Sequence, residues 1–126
     1  MGYDMTQLEE MAAEVDHLNH DKGWFDEHRT FGDLVALLHS EASELIEAYR
    51  RWGWYDATPK PGWLDHIWPW SRRKPSKPEG VGSEAADVLI RLLDLCNRYS
   101  INLDDEFRRK MDYNWTRPYR HGGKKL

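Results

Sequence analysis

The stretch "TFGDLVALLHSEASELIEAYRRW", residues 30–52, decides the fold. Its apolar positions recur at i, i+3, i+4 and i+7 over about five turns, the spacing of one face of an amphipathic helix. The residues of that face are Phe31, Leu34, Val35, Leu38, Ala42, Leu45, Ile46 and Tyr49. Thr30 and Asp33 have the spacing of a helix start, because the side chain of the third helical residue can accept a hydrogen bond from the backbone amide of the capping residue. The stretch therefore predicts a long helix after Thr30.

Two carboxylates interrupt this apolar pattern, and a second segment repeats the arrangement. Glu41 and Glu44 are three residues apart, as are Glu84 and Asp87 in "SEAADVLIRLLDLC", residues 83–96. Residues three apart lie on neighbouring turns of one helix face, so two antiparallel helices would bring four carboxylates together. Like charges that close need a compensating cation, and Mg²⁺ and Mn²⁺ prefer oxygen ligands. The pattern indicates a divalent metal site, and the alternative is that each pair lies on a solvated helix face.

Three further helices complete the prediction. The first runs from about Thr6 to Asn19, with Thr6 and Glu9 spaced as a capping box. The third begins at Ser83 as its N-cap, and the fourth ends at Pro118. The third is apolar except for one polar strip, so we expect it to lie in the middle of a bundle. The residues of that strip are Glu84, Asp87, Arg91, Asp94 and Arg98, among which we expect Arg91 to pair with Asp94.

The chain has 126 residues, of which 40% are hydrophobic and 32% are charged. This length suits a single domain covering residues 1–126, and the balance is typical of a globular protein. No apolar run approaches the roughly 20 residues that cross a bilayer, and the acidic N-terminal segment differs from a secretory signal. We therefore expect a cytoplasmic protein without a membrane segment. The only cysteine, Cys96, excludes an internal disulfide and is interpreted as a small buried hydrophobe.

An insertion at about residues 52–82, between the second and third helices, holds five of the seven tryptophans and five of the six prolines. The prolines exclude a long regular element, and tryptophans usually need a surface to bury against. We expect a packed segment followed by a looser linker.

The basic tail covers about residues 117–126, and residues 107–126 carry seven Lys or Arg against one Asp. The charge of this end suits phosphate binding, whereas the acidic remainder gives no expectation of nucleic-acid binding.

Three segments together resemble a known family. They are "LLHSEASELIEAYR", "KPEGVGSEAADVLIRLLDL" and "KMDYNWTRPYRHGGKK", within about residues 31–51 and 77–125. This ordered set is similar to the MazG-like branch of the all-α nucleoside triphosphate pyrophosphohydrolases, in which an ExxE helix is followed by an ExxD helix. The resemblance implies an all-α, four-helix bundle-like fold that forms a homodimer or homotetramer. The tryptophan-rich insertion has no counterpart in that pattern.

The resemblance also implies an activity, the Mg²⁺-dependent hydrolysis of a (deoxy)nucleoside triphosphate to the monophosphate and pyrophosphate in nucleotide pool house-cleaning. Glu41, Glu44, Glu84 and Asp87 would hold Mg²⁺, or Mn²⁺ in its place, against the triphosphate. The metal would act as a Lewis acid and template while water attacks the α-phosphorus. Either Glu41 or Glu44 would double as the general base. The choice between them stays open, because ligation and proton abstraction need the same chemical group.

The basic end supplies candidates for phosphate binding. Lys110 and Asn114 are four residues apart and share a helix face, and Arg117 follows where that helix stops. An ammonium, an amide and a guanidinium would thus be offered to phosphate oxygens. His121, in the closing motif of the resemblance, is a candidate for supporting the site, and its alternative is a place in a solvated tail.

Aromatic and polar residues nearer the acidic pairs supply the remaining candidates. Trp24 and Phe25 could stack on a nucleobase, with packing as the alternative. His39 precedes the first acidic pair and could support the metal ligands, as could Asp94, while a satisfied core histidine and a simple ion pair are the alternatives.

Two other functions stay open. One is hydrolysis of another pyrophosphate-containing nucleotide, and the other is an idle helical-bundle protein that binds a partner through its tryptophan-rich insertion.

Overall fold

The computed structural model describes residues 6–58 and 77–119. Within these residues the chain forms α-helices and no strand, which confirms the all-α prediction. The four helices of the described residues are α1 (Gln7–Asp21), α2 (Phe31–Trp52), α3 (Val81–Arg98) and α4 (Leu103–Thr116). None of these helices is both long and apolar enough to cross a membrane. Residues 59–76, the larger part of the predicted insertion, and the tail after residue 119 lie outside the described residues.

Two compact units divide the chain. The first contains α1, α4 and the end of α3 from Leu93 onward, and the second extends from Arg29 to Leu92. Within the first unit α1 packs against α4. The second unit contains α2 and the first three turns of α3, and so holds all four predicted carboxylate ligands. The single domain expected from the chain length stays a prediction.

Capping boxes begin α1 and α2, as the sequence predicts. The Thr6 amide donates to the Glu9 carboxylate at 2.8 Å, and the Glu9 amide donates to the Thr6 hydroxyl at 3.3 Å. Thr30 and Asp33 repeat the exchange at 2.8 and 3.1 Å. These bonds satisfy amides that lack a partner within the helix, and this fixes both helix starts.

The start of α3 differs from the prediction. Ser83 was expected as the N-cap, but the helix begins at Val81. Its first regular turn closes when the Glu84 amide donates to the Gly80 carbonyl at 3.0 Å. Ser83 is therefore the third residue of the helix, and its hydroxyl donates to the Pro78 carbonyl at 3.1 Å. The prediction that Ser83 is the N-cap is therefore wrong, because the helix begins before Ser83.

Gly80 brings the segment after α2 against the segment before α3. Its φ of 114° is a conformation that residues with a side chain rarely adopt. A Cβ atom there would lie 3.0 Å from the Tyr55 carbonyl oxygen and 3.1 Å from the Ala57 nitrogen. The Ala57 amide donates to the Glu79 carbonyl at 3.1 Å, and the Glu79 amide donates to the Thr58 hydroxyl at 3.1 Å. These contacts connect the segment after α2 to the start of α3, which carries Glu84.

The second half of α3 is buried at polar and apolar positions alike, from Leu93 to Cys96, whereas part of the apolar surface before it is exposed. Asp94 is only 5% exposed, while Leu89 and Ile90 are 37% and 40% exposed. On α2, Phe31 and Ile46 from the predicted apolar face are also about half exposed. The expectation that α3 is surrounded by the rest of the chain therefore fails at Leu89 and Ile90.

Asp94 joins α1 to α3 within the first unit. Asn19 donates to Asp94 Oδ1 at 2.8 Å, and Arg98 Nε lies 3.1 Å from both carboxylate oxygens. Arg98 also donates from Nη2 to the Trp24 carbonyl at 3.1 Å. The predicted partner of Asp94 was Arg91, but Asp94 bonds to Arg98, one helical turn away. A buried carboxylate held by several donors stabilises the packing of the helices it connects, and is costly to leave alone.

Cys96 is buried beside Leu95 and Leu93. Burial raises the pKa of its thiol, because the charged thiolate is poorly solvated there. The side chain therefore stays protonated and packs as a small apolar group, in agreement with the prediction of a buried residue.

We predict that Arg98→Met lowers the free energy of unfolding by roughly 2–4 kcal/mol, because it leaves the Asp94 carboxylate without its buried cation. Methionine keeps much of the apolar stem, so the loss reports the charged group. The matched control is Arg109→Met, since the Arg109 and Glu106 side chains are 77% and 52% exposed and their pair should contribute less than about 1 kcal/mol. Urea unfolding of both variants measures the difference, and equal losses would contradict a structural role for the Asp94 network.

Candidate functional site

Helices α2 and α3 bring acidic side chains together in the second unit. Glu41 from α2 and Glu84 and Asp87 from α3 can each place a carboxylate oxygen within 4.8 Å of the others, and we call these three residues the acidic cluster. All three residues are partly shielded from solvent. The spacing explains the arrangement, because residues three apart on α3 point to one side of the helix. Three of the four predicted metal ligands are thus assembled.

The fourth predicted ligand, Glu44, lies one turn after Glu41 on α2, and its side chain is exposed. Its charge nevertheless reaches Glu84, whose pKa it helps to raise. Glu44 therefore lies at the solvent side of the acidic cluster, near enough to act on it.

The pKa of Glu84 in the acidic cluster is raised by its surroundings. Burial is the largest cause of the raised pKa. The charges of Asp87, Glu44 and Glu41 raise the pKa further, and the Lys77 ammonium lowers it. Glu84 Oε2 is inaccessible to solvent and accepts no hydrogen bond from the described residues. An unsatisfied buried oxygen is costly and rare, and a site for an ion is one of its ordinary explanations.

Arg91 provides a cation beside the acidic cluster. Its Nε donates to Glu41 Oε1 at 3.0 Å, and the two side chains are 24% and 15% exposed. The predicted partner of Arg91 was Asp94, and the contact with Glu41 was not predicted. The spacing places Arg91 on the same helix face as Asp87 and Glu84, but it does not indicate which residue of α2 lies opposite.

The acidic cluster fits a hard divalent cation. All of its donors are carboxylate oxygens, which Mg²⁺ and Mn²⁺ prefer over nitrogen or sulfur. The unsatisfied oxygen of Glu84 gives such an ion a ligand that no other described group engages. The three side chains are also partly shielded from solvent. Their attraction to a cation is therefore stronger than it would be for fully exposed carboxylates.

The predicted phosphate-binding residues lie on the first unit. Lys110 and Asn114 belong to α4, and Arg117 caps the end of that helix. The Arg117 amide donates to the Asn114 carbonyl at 3.1 Å, while the side chains of Lys110 and Arg117 are exposed. Lys110 and Asn114 lie one turn apart on α4 and Arg117 follows at its C-cap, while their role in phosphate binding stays a prediction.

The two aromatic candidates differ in their surroundings. Phe25 stacks on the His20 ring with centroids 4.0 Å apart, and the Arg98 guanidinium lies 4.2 Å from the Phe25 ring centroid. Packing therefore already engages Phe25. Trp24 is 46% exposed, and its carbonyl accepts the bond from Arg98. The Trp24 ring is the more accessible of the two for stacking.

The three candidates for supporting residues have different positions. His39 is exposed on α2, and its carbonyl accepts a hydrogen bond from the Ser43 hydroxyl at 3.1 Å. Asp94 is engaged by its network in the first unit. His121 lies outside the described residues.

A cavity of about 380 Å³ lies in the second unit, between the segment after α2 and the start of α3. Its walls include Trp54, Tyr55, Thr58 and Ser83, the residue that immediately precedes Glu84. Trp54 and Tyr55 are 78% and 81% exposed, and the Trp54 ring contacts Tyr49 with centroids 4.6 Å apart. These aromatic residues belong to the predicted insertion, and the sequence predicts no site for them. Their position directly after the ExxE helix is the feature of the sequence that indicates they lie near it.

Comparison of the chain with protein-family models, with curated proteins and with solved structures gives no match. A function must therefore be argued from the motifs and from the geometry of the site.

We predict that Glu84→Gln stabilises the metal-free protein more at pH 7 than near pH 4. The pKa of Glu84 is raised above its ordinary 4.5 in the folded chain, so the folded state retains the proton longer than the unfolded state. The stability associated with the protonated group is therefore present below pH 4.5 and is lost as the pH rises through the folded pKa. Glutamine stays neutral throughout and avoids this loss.

Thermal unfolding in the presence of EDTA, at both pH values, measures this effect. Glu14→Gln is the control, because Glu14 is an exposed acid on α1. A Glu84→Gln gain that is the same at both pH values, or that shrinks toward pH 7, would contradict the electrostatic account of the cluster.

Proposed function

We propose that this protein is a magnesium-dependent nucleoside triphosphate pyrophosphohydrolase, which cleaves a (deoxy)nucleoside triphosphate to the monophosphate and pyrophosphate. The observation that carries the proposal is the acidic cluster of Glu41, Glu84 and Asp87, with its unsatisfied Glu84 oxygen. The order of the ExxE, KPEG, ExxD and closing basic motifs, which resembles the MazG-like branch, supports the choice of reaction. Mn²⁺ is the expected substitute for Mg²⁺.

In this proposal the acidic cluster holds the ion, and the ion supplies Lewis-acid stabilisation of the triphosphate charge. Glu44 is the better candidate for the general base. One oxygen of Glu41 is already engaged by Arg91, whereas Glu44 is exposed at the solvent side of the cluster, where water arrives. Glu44 would take a proton from the attacking water, the water oxygen would form a bond to the α-phosphorus, and the bond to the pyrophosphate oxygen would break.

Lys110, Asn114 and Arg117 remain the proposed phosphate contacts. The exposed Lys110 and Arg117 side chains of the first unit have the charge that binding a phosphate oxygen needs. Arginine suits this role because its planar guanidinium can bind two oxygens at once.

The nucleobase has two candidate positions. One is the cavity walled by Trp54 and Tyr55, which shares Ser83 with the helix start that carries Glu84. The other is the exposed ring of Trp24. We favour the cavity, because it combines aromatic walls with hydroxyl groups from Thr58 and Ser83 that can bond to the edge of a base.

We further propose that the chain works as a homodimer or homotetramer. Large apolar side chains of the second unit are exposed on α2 and α3 of a single chain. These residues are Phe31, Ile46, Tyr49, Leu89 and Ile90. Exposed apolar groups of this size are typical of surfaces that another protein covers.

We predict that the purified protein with Mg²⁺ converts at least one ordinary or damaged nucleoside triphosphate to the monophosphate and pyrophosphate. Glu41→Gln and Asp87→Asn should each lower kcat on the order of 100-fold or more, because the ion contributes several kcal/mol of charge stabilisation. Removal of Mg²⁺ by EDTA should abolish turnover. Glu47→Gln is the control, since Glu47 is exposed on the same helix. Chromatography of the products of a substrate panel is the measurement.

The products decide between the alternatives. Release of inorganic phosphate instead of pyrophosphate would contradict the proposed reaction. If no triphosphate is cleaved but another pyrophosphate-containing nucleotide is, the site is retained and the substrate class changes. If nothing is cleaved and both variants bind Mn²⁺ as the wild type does, the carboxylates are structural and a binding function becomes the better proposal.

We predict that Trp54→Ala raises KM for the preferred triphosphate by about 5-fold to 100-fold with a smaller change in kcat, because a base stacked on an aromatic ring gains about 1–3 kcal/mol. Trp24→Ala is the matched comparison, since it removes an exposed tryptophan from the other candidate position. A rise in KM for Trp24→Ala alone would place the base at the first unit and contradict the cavity.

A further inference from the structure

Arg91 and the acidic cluster share one face of α3. Glu84, Asp87 and Arg91 follow one another at intervals of three and four residues, so their side chains project on the same side of the helix. The structure gives the Arg91 Nε–H to Glu41 Oε1 at 3.0 Å, across from α3 to α2. Both side chains are mostly shielded, at 24% and 15% exposure. A bond with that geometry and shielding holds a carboxylate more firmly than an exposed surface pair does.

The bond leaves Glu41 with one engaged and one remaining oxygen. Glu41 can reach Glu84 and Asp87 with a carboxylate oxygen, and the bond to Arg91 restricts the rotation that would turn the group away. Groups that hydrogen-bond to a metal ligand from behind commonly fix its orientation in this way.

We propose that Arg91 is a positioning residue for Glu41, which it orients so that the second carboxylate oxygen faces Glu84 and Asp87. The inference rests on the proposed metal site and assigns a new residue to it. Arg91 acts through Glu41 and does not itself contact the ion.

Two effects of Arg91 on a bound cation have opposite signs. Its positive charge repels a divalent ion, so if charge alone mattered, removal of Arg91 would tighten metal binding. Its hydrogen bond orients a ligand, so if positioning matters more, removal of Arg91 weakens metal binding. The direction of the change therefore separates the two effects.

Two isosteric substitutions distinguish the bond from the charge. In Arg91→Gln the amide nitrogen occupies the place of the arginine Nε and can still donate to Glu41. In Arg91→Met a methyl group occupies the same place and cannot. Both variants lose the positive charge and have similar size, so a difference between them reports the hydrogen bond. Mn²⁺ affinity of the full chain, measured by titration calorimetry, is the readout, and it requires no substrate.

We expect Arg91→Met to weaken Mn²⁺ binding by about 10-fold to 100-fold, the usual loss when a group that orients a metal ligand is removed. Arg91→Gln should recover most of that loss. Arg50→Met is the control, because Arg50 pairs with Glu47 on the exposed side of α2 and its loss should leave the affinity unchanged. Circular dichroism establishes that each variant is folded.

Three results would overturn the inference. Equal tightening of Mn²⁺ binding in both variants would show that Arg91 acts through charge alone, and unchanged affinity in both would show that it does not act on the site. If Arg91→Met does not fold, Arg91→Lys replaces it: the charge is kept and the donor is displaced, so wild-type affinity would overturn the inference and weaker binding would support it. A wild-type chain that binds no Mn²⁺ would instead remove the proposed metal site, which is a different failure.

Discussion

Repulsion among carboxylates is the constraint on which the second unit depends. Glu41, Glu84 and Asp87 can place oxygens within 4.8 Å of one another, and charges that close cannot all remain ionised without compensation. Two responses are visible in the folded chain. Burial and the neighbouring acids raise the pKa of Glu84, and Arg91 donates to Glu41. A cation in the cluster would relieve the same repulsion, so the requirements of folding and of the proposed chemistry point to the same place.

Local rules in the sequence predicted the helix starts that depend on local bonds. The boxes at Thr6 and Thr30 need only residues three positions away, so spacing is sufficient to find them. The start of α3 could not be found in this way, because it depends on Gly80 and the close approach of Tyr55, which lies about 25 residues earlier in the chain. Ser83 has the right chemistry for a cap but lies inside the helix, where its hydroxyl donates to the Pro78 carbonyl. Such competition is decided by tertiary structure and leaves no trace in local spacing.

The same distinction applies to the candidate site. Helical periodicity predicted that Glu84 and Asp87 share one face of α3. The contact of that face with Glu41 was expected because the ExxE pattern of α2 is repeated as ExxD in α3. The partner of Arg91 was not predictable, since the face of α3 offers Asp94 at one turn and the packing of α2 offers Glu41. Periodicity ranks the residues of one helix but carries no information about which neighbouring helix supplies a partner. The exposed Leu89 has the same origin, because a hydrophobic pattern indicates that a side chain favours burial without indicating what covers it.

Two carboxylates of α3, Asp94 and Glu84, differ in how completely their oxygens are hydrogen-bonded. Asp94 and Glu84 lie on the same polar strip, ten residues apart, and both are shielded from solvent. Asp94 is bonded by Asn19 and Arg98 through both of its oxygens, as a carboxylate that serves packing requires. Glu84 keeps an oxygen that is inaccessible to solvent and receives no bond from the described residues. An oxygen of this kind is costly for the fold, and the proposed metal ion would offset that cost. One strip of one helix therefore carries a fully bonded carboxylate toward its end and, at its start, a carboxylate with an unbonded oxygen that the proposed metal ion would engage.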